Sequence, residues 1–227
     1  MDASSQYLST DRPDRADHLW RYTPWKRIHP TGKISEIPGE FSTPLITLKT
    51  LDGSALPSGI SLTSGDTDSN ELPMDEKITR RFLEAVTEDS KFTLTVAPRF
   101  KSSAPIIIEI STGGIFCSAH ICLDIGKLAE LELVTVLRGN CDWFGMLRTG
   151  STGEGAITSD VVVNRLENGR LLRVESISIP RDSQFKAGTV SSGSTITKAD
   201  LRYRMFQPGG SLNVLGSILS AREMSLD

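Results

Sequence analysis

The side chains best suited to chemistry in this chain are Cys117, His120 and Cys122, close together in Cys117-Ser118-Ala119-His120-Ile121-Cys122, with Cys141 further on. Thiolates and imidazoles are ligands for zinc and for iron–sulfur centres, so these four form the candidate metal set. Strand alternation divides them. If 115–123 is a straight strand, His120 and Cys122 share one face and Cys117 points to the other. A site built on that strand needs ligands from a neighbouring coil, for which Cys141 is available. The plainer reading, that small thiols fill a β core as free cysteines commonly do, carries more weight.

Other chemistries lack their residues. The chain contains no H-E-x-x-H, C-x-x-C, G-x-S-x-G or G-K-[ST]. Gly150, Gly153 and Gly155 are spaced G-x-x-G-x-G, but without the strand-to-helix setting of a dinucleotide site. Only His18, His29 and His120 offer an imidazole for general base work. The expectation is a protein that is not an enzyme, with no catalytic residue. The competing enzymatic reading is a β-helix acting on a polysaccharide, with Asp124, Glu130, Glu132 and Asp160 as its carboxylates. Aromatic residues, at 6%, are sparse for that role.

The 227 residues are 38% hydrophobic and 23% charged, as in ordinary globular chains. Twenty-five basic against 28 acidic residues leave a net charge of −3. That is the reverse of a nucleic-acid binder's basic footprint. The opening Met1-Asp2-Ala3-Ser4-Ser5-Gln6 lacks the basic stretch and ~7–15 apolar residues of a signal peptide. Apolar runs such as Ile106-Ile107-Ile108 fall far short of the ~18 residues of a membrane span. An odd number of cysteines fits no disulfide framework, so free thiols and a reducing, cytoplasmic location are expected.

The elements that must position these residues are mostly strands. Residues 1–90 read as an N-terminal arm, a loop and one helix, and 91–227 as the body. The arm is polar and broken by prolines, except for the patch Trp20-Arg21-Tyr22-Thr23-Pro24-Trp25-Lys26-Arg27. Its aromatics Trp20, Tyr22 and Trp25 would dock on the body. The stretch from Ser54 to Asn70 is rich in Ser, Gly, Asp and Thr and reads as a loop. From Pro73 to Glu88, Met74, Ile78, Phe82, Leu83, Ala85 and Val86 make an apolar stripe at helical spacing. Beyond residue 91, apolar alternation in short runs is punctuated by Gly139-Asn140, Gly150 to Gly155, Asn168-Gly169, Ser191 to Ser194 and Pro208-Gly209-Gly210. About ten strands with no helix among them predict an all-β body. Sandwich, barrel and solenoid all fit that pattern, and the recurring turn clusters favour the solenoid.

The tryptophan patch adds a resemblance. His18-Leu19-Trp20-Arg21-Tyr22-Thr23-Pro24-Trp25-Lys26-Arg27 resembles the "E-W-R-Y-T" segment of the SufB/SufD family, the scaffold and partner subunits of the SUF iron–sulfur cluster assembly system. Phe92-Thr93-Leu94-Thr95-Val96-Ala97-Pro98 and Ala104-Pro105-Ile106-Ile107-Ile108 look like the family's "V-P-x-G…x-P-I-x-I" strands. Gly188 to Asp200, and Gly209-Gly210-Ser211-Leu212-Asn213-Val214-Leu215-Gly216-Ser217, look like its late β-helix turns. The resemblance implies a right-handed parallel β-helix, SufD-like, with an extended arm and one amphipathic helix. It also implies SUF partners: a SufC-like ATPase and a SufB-like scaffold, in a homo- or heterodimer. A cluster or iron would be held only transiently. The family's C-terminal coils and closing helical segment have no counterpart here, so Cys117, Cys122 and Cys141 inherit no cluster-building role. The functional expectation is a scaffold or partner subunit acting through protein contacts. A β-solenoid interaction module without metal is the alternative.

Overall fold

The computed structural model describes residues 2–14, 20–21, 23–65 and 78–219. In chain order the elements are α1 (Ala3–Leu8), α2 (Trp25–Ile28), β1 (Leu45–Thr50), β2 (Ile60–Ser64), α3 (Ile78–Val86), β3 (Lys91–Val96), β4 (Ile106–Ile125), β5 (Glu130–Ser151), β6 (Ile157–Leu166), β7 (Arg170–Ile179), β8 (Gln184–Ser191), β9 (Ile196–Met205) and β10 (Ser211–Ile218). The strands pair into one continuous sheet wound as a parallel β-helix of about five turns. Successive coils lie in parallel register. Ile106 sits beside Leu133, Glu130 beside Ile157, Ile157 beside Gln184 and Gln184 beside Ser211.

β5 runs through a position where a turn is expected, Gly139-Asn140. β4 and β5 each continue around a corner, the first half of each strand on one wall of the helix and the second half on the other. Gly139, read from sequence as part of a turn, lies inside β5 with φ of 106°. A Cβ there would fall 2.3 Å from the Thr112 carbonyl oxygen. Only glycine lets the backbone change direction at that spot while keeping its ladder partner. Gly150, at φ of 117°, does the same at the far end of β5.

Alternation sorts each wall into an inward and an outward set. Ile106, Ile108 and Ile110 on one wall, with Cys117, Ala119, Ile121 and Leu123 on the other, fill the lumen of the first coil. Outside the second wall lies a separate apolar cluster. There Trp143 and Leu147 of β5 and Leu172 and Val174 of β7 meet Phe82 and Leu83 of α3, with Tyr7, Trp20, Trp25 and Ile28 from the N-terminal segment. The indole Nε1–H of Trp143 donates to the Ile28 carbonyl at 2.7 Å. This joins arm to body.

Some local expectations are revised. The arm carries short helices α1 and α2 rather than remaining extended, because burying Tyr7, Trp25 and Ile28 against α3 and the wall fixes those turns. Ile60–Ser64, inside the stretch read as a loop, pairs antiparallel with β3. Leu45–Thr50 pairs antiparallel with the first half of β4. Both strands therefore belong to the sheet although they lie within residues 1–90. The expected helix is described from Ile78 to Val86; Pro73, Met74, Asp75, Glu76 and Lys77 lie outside the described residues, as do His18 and Tyr22. Among the described residues no helix is long and apolar enough to cross a membrane.

Candidate functional site

The C-terminal coil presents the most distinctive surface. β10 pairs with β8 along one edge and β9 with β7 along one edge, and among the described residues neither has a strand on its other side. Such edges carry rows of backbone N–H and C=O groups able to accept another strand. The residues Ser211-Leu212-Asn213-Val214-Leu215-Gly216-Ser217-Ile218 of β10 contain no charge. Met205, Phe206, Val214, Leu215, Ile218 and Leu219 are all exposed there. Charges on edge strands normally discourage docking; β10 has none.

The lumen beneath that coil is polar. Arg148 reaches Asp160 at 2.8 Å and Glu175 at 2.8 Å. Arg173 meets Glu175 at 2.6 Å and donates to Thr189 Oγ1 at 2.9 Å. The Tyr203 hydroxyl donates to Glu175 at 3.0 Å. The four charged side chains are buried, and their charges cancel in pairs. Burial opposes ionisation of Glu175, yet Arg148 and Arg173 hold its carboxyl down to about 2. Burial pushes Asp160 up, against the pull of Arg148. Burial likewise raises Tyr203, with the Glu175 charge adding to it.

Sequence reading missed this network, but a signal was present. Arg148 has the same parity as Phe144 and Met146, and Arg173 and Glu175 have that of Leu171 and Ile177. Three charges on the apolar parity of consecutive coils mark an ion pair inside rather than a solvated face.

The structure separates the candidate metal ligands. Cys117 and Cys141 point inward and belong to the lumen cluster. His120 and Cys122 face the other way, and His120 Nε2 lies 2.8 Å from Thr149 Oγ1. Cys141 therefore joins Cys117's side of the wall, not that of His120 and Cys122. Burial pushes the Cys141 thiol up to about 11 and raises Cys117 as well, disfavouring the thiolate that a metal needs. Burial lowers His120 to about 4. Among the described residues no group of three or more His, Cys, Asp or Glu is arranged to hold a metal ion. These residues do not fit an iron–sulfur cluster as one ligand set.

The four carboxylates of the polysaccharide reading are also dispersed. Asp160 is in the lumen ion network, while Asp124 is exposed on the outward face of the second wall. Glu130 and Glu132 lie on the outside of the first wall, in a groove. Comparison of the chain with family models, with curated proteins and with solved structures finds no match.

Proposed function

We propose that the chain is a SufD-like subunit of iron–sulfur cluster assembly, acting through protein contacts rather than catalysis. Its C-terminal coil would pair with a SufB-like scaffold or a second copy, and a SufC-like ATPase would join the complex. The single observation that carries the reading is the terminal coil, a parallel β-helix end whose edges have no further strand partner among the described residues, with an uncharged β10 and exposed apolar side chains. The tryptophan patch supports it from the other end, since Trp20 and Trp25 are buried against the wall as an arm of that resemblance would be. In this reading Cys117, His120, Cys122 and Cys141 hold no cluster of their own. Any cluster or iron is cargo of the assembled complex.

The test is anaerobic co-expression with the same organism's SUF ATPase and full-length scaffold, followed by affinity purification and mass analysis. Stoichiometric recovery of either partner is the expected result. Recovery of this chain without them overturns the assignment to cluster assembly.

A further inference from the structure

Outside the first wall, beside the loop Ser102–Pro105, lies a groove of about 320 Å³. Its floor is formed by outward side chains of three successive coils, Glu130 and Glu132 from β5, Ile157 and Ser159 from β6, and Gln184 and Lys186 from β8. Glu132, Ser159 and Lys186 form one column across the coils. The coil spacing places the Glu132 and Lys186 Cα atoms roughly 10 Å apart, two steps along the sheet.

The charges in this groove are unequal in their commitments. Lys101 neutralises Glu130 at 2.8 Å. Glu132 and Lys186 form no hydrogen bond or ion pair among the described residues, although their side chains are long enough to meet across Ser159. An unpaired carboxylate and an unpaired ammonium thus face one small space, with a hydroxyl between them and Ile157 as the apolar contact. Aromatic platforms, on which a sugar ring would stack, are absent from the lining. The volume is at the lower end for ligand sites.

We infer that this groove binds a small zwitterion of the amino-acid type, its ammonium on Glu132 and its carboxylate on Lys186. Ser159 and Gln184 supply neutral hydrogen bonds, and Ile157 packs against the side chain. The site lies apart from the terminal coil and does not depend on what docks there.

The test is a titration of the full-length chain, labelled for amide NMR, with each of the twenty common amino acids. Expected are saturable shifts at Glu132, Ser159 and Lys186 with at least one of them. Acetylating that ligand's amino group abolishes the shifts. Glu132→Gln and Lys186→Met each weaken binding about tenfold or more, as loss of a charge-assisted hydrogen bond does. Both positions are on the outer surface, and the double reversal Glu132→Lys with Lys186→Glu restores binding in the opposite orientation. Absence of saturable shifts with every amino acid overturns the inference. So do shifts of equal size with glucose, or affinities unchanged by the single variants.

Discussion

At its N-terminal end the β-helix is edged by two short antiparallel strands beside an apolar lumen, whereas at its C-terminal end a charged lumen lies just beneath two parallel strands with no further strand partner among the described residues. The first coil is turned back by β1 and β2, six and five residues long, with Lys49 and hydroxyl side chains outward. The last coil ends in an eight-residue uncharged strand. Each end follows from its side chains. Ile and Leu in a closed lumen stabilise by burial alone. Arg148, Asp160, Arg173 and Glu175 are tolerated only in one register, because each must meet its partner. The terminal coil is therefore held in a defined position from within, while its rim has no strand partner among the described residues.

Breaking that internal lock has the largest expected effect. Arg148→Met leaves Asp160 without its cation and Glu175 with only Arg173, and it should destabilise by about 3–5 kcal/mol in urea unfolding. Arg148→Met with Asp160→Leu should recover part of that loss, since the stranded carboxylate is gone. If the single variant is as stable as the parent, the network is not what fixes the C-terminal coils.

At the other region, Trp143→Phe removes the donor to the Ile28 carbonyl and keeps most of the ring packing. The expected loss is about 1–3 kcal/mol, the desolvation penalty of an unsatisfied carbonyl. It should appear as faster proteolysis of the N-terminal segment, with the coils intact.

Acid should separate the two regions. Burial pushes His29 and His120 down to about 4 from the ordinary 6.5. Both are neutral in either state above pH 6.5, so their contribution is intact there. Between about 6.5 and about 4 only the unfolded chain takes up the proton, and stability falls as pH falls through that window. Glu175, held to about 2, keeps its contribution above its ordinary 4.5 and loses it only as pH falls toward 2. All three tryptophans belong to the arm cluster, so tryptophan fluorescence reports that region alone. It should shift to the red at higher pH than the far-ultraviolet β signal is lost. Coincident transitions would show that arm and coils unfold as one unit.

An all-β body leaning to a solenoid was legible from alternating apolar runs divided by turn clusters, whereas the parallel β-helix was named only by the resemblance. The corners were less so. Gly139 and Gly150 look like turn residues but permit bends within unbroken strands, a distinction that depends on the carbonyl each backbone meets. β1, β2 and β8 were not read as strands, because Thr, Ser, Lys and Gly on exposed edge or corner positions blur the alternation. Of the candidate metal set, alternation correctly parted Cys117 from His120 and Cys122. The side taken by Cys141 depended on the bend at Gly114 and Gly139, invisible in the spacing. The terminal coil was read only through the likeness of Ser211 to Ser217 to late β-helix turns. The ion network beneath it was hidden by the habit of placing charges outside.

The smallest expected effect on stability is also the sharpest test of the two ends. Leu45 on β1 and Leu215 on β10 are almost equally exposed, at 68% and 70%. Neither is packed, so Leu45→Lys and Leu215→Lys should each change stability by no more than about 0.5 kcal/mol. Their effects on association should differ. A lysine at 215 places a charge on an edge that has none, where a docking strand would have to bury or displace it. A lysine at 45 joins a strand that already carries Lys49. Co-purification of partner, or self-association measured by sedimentation, should therefore fall with Leu215→Lys and hold with Leu45→Lys. Equal loss in both would mean that an exposed leucine on an edge strand, rather than the absence of charge on β10, drives association, and the two ends would then differ in architecture but not in role.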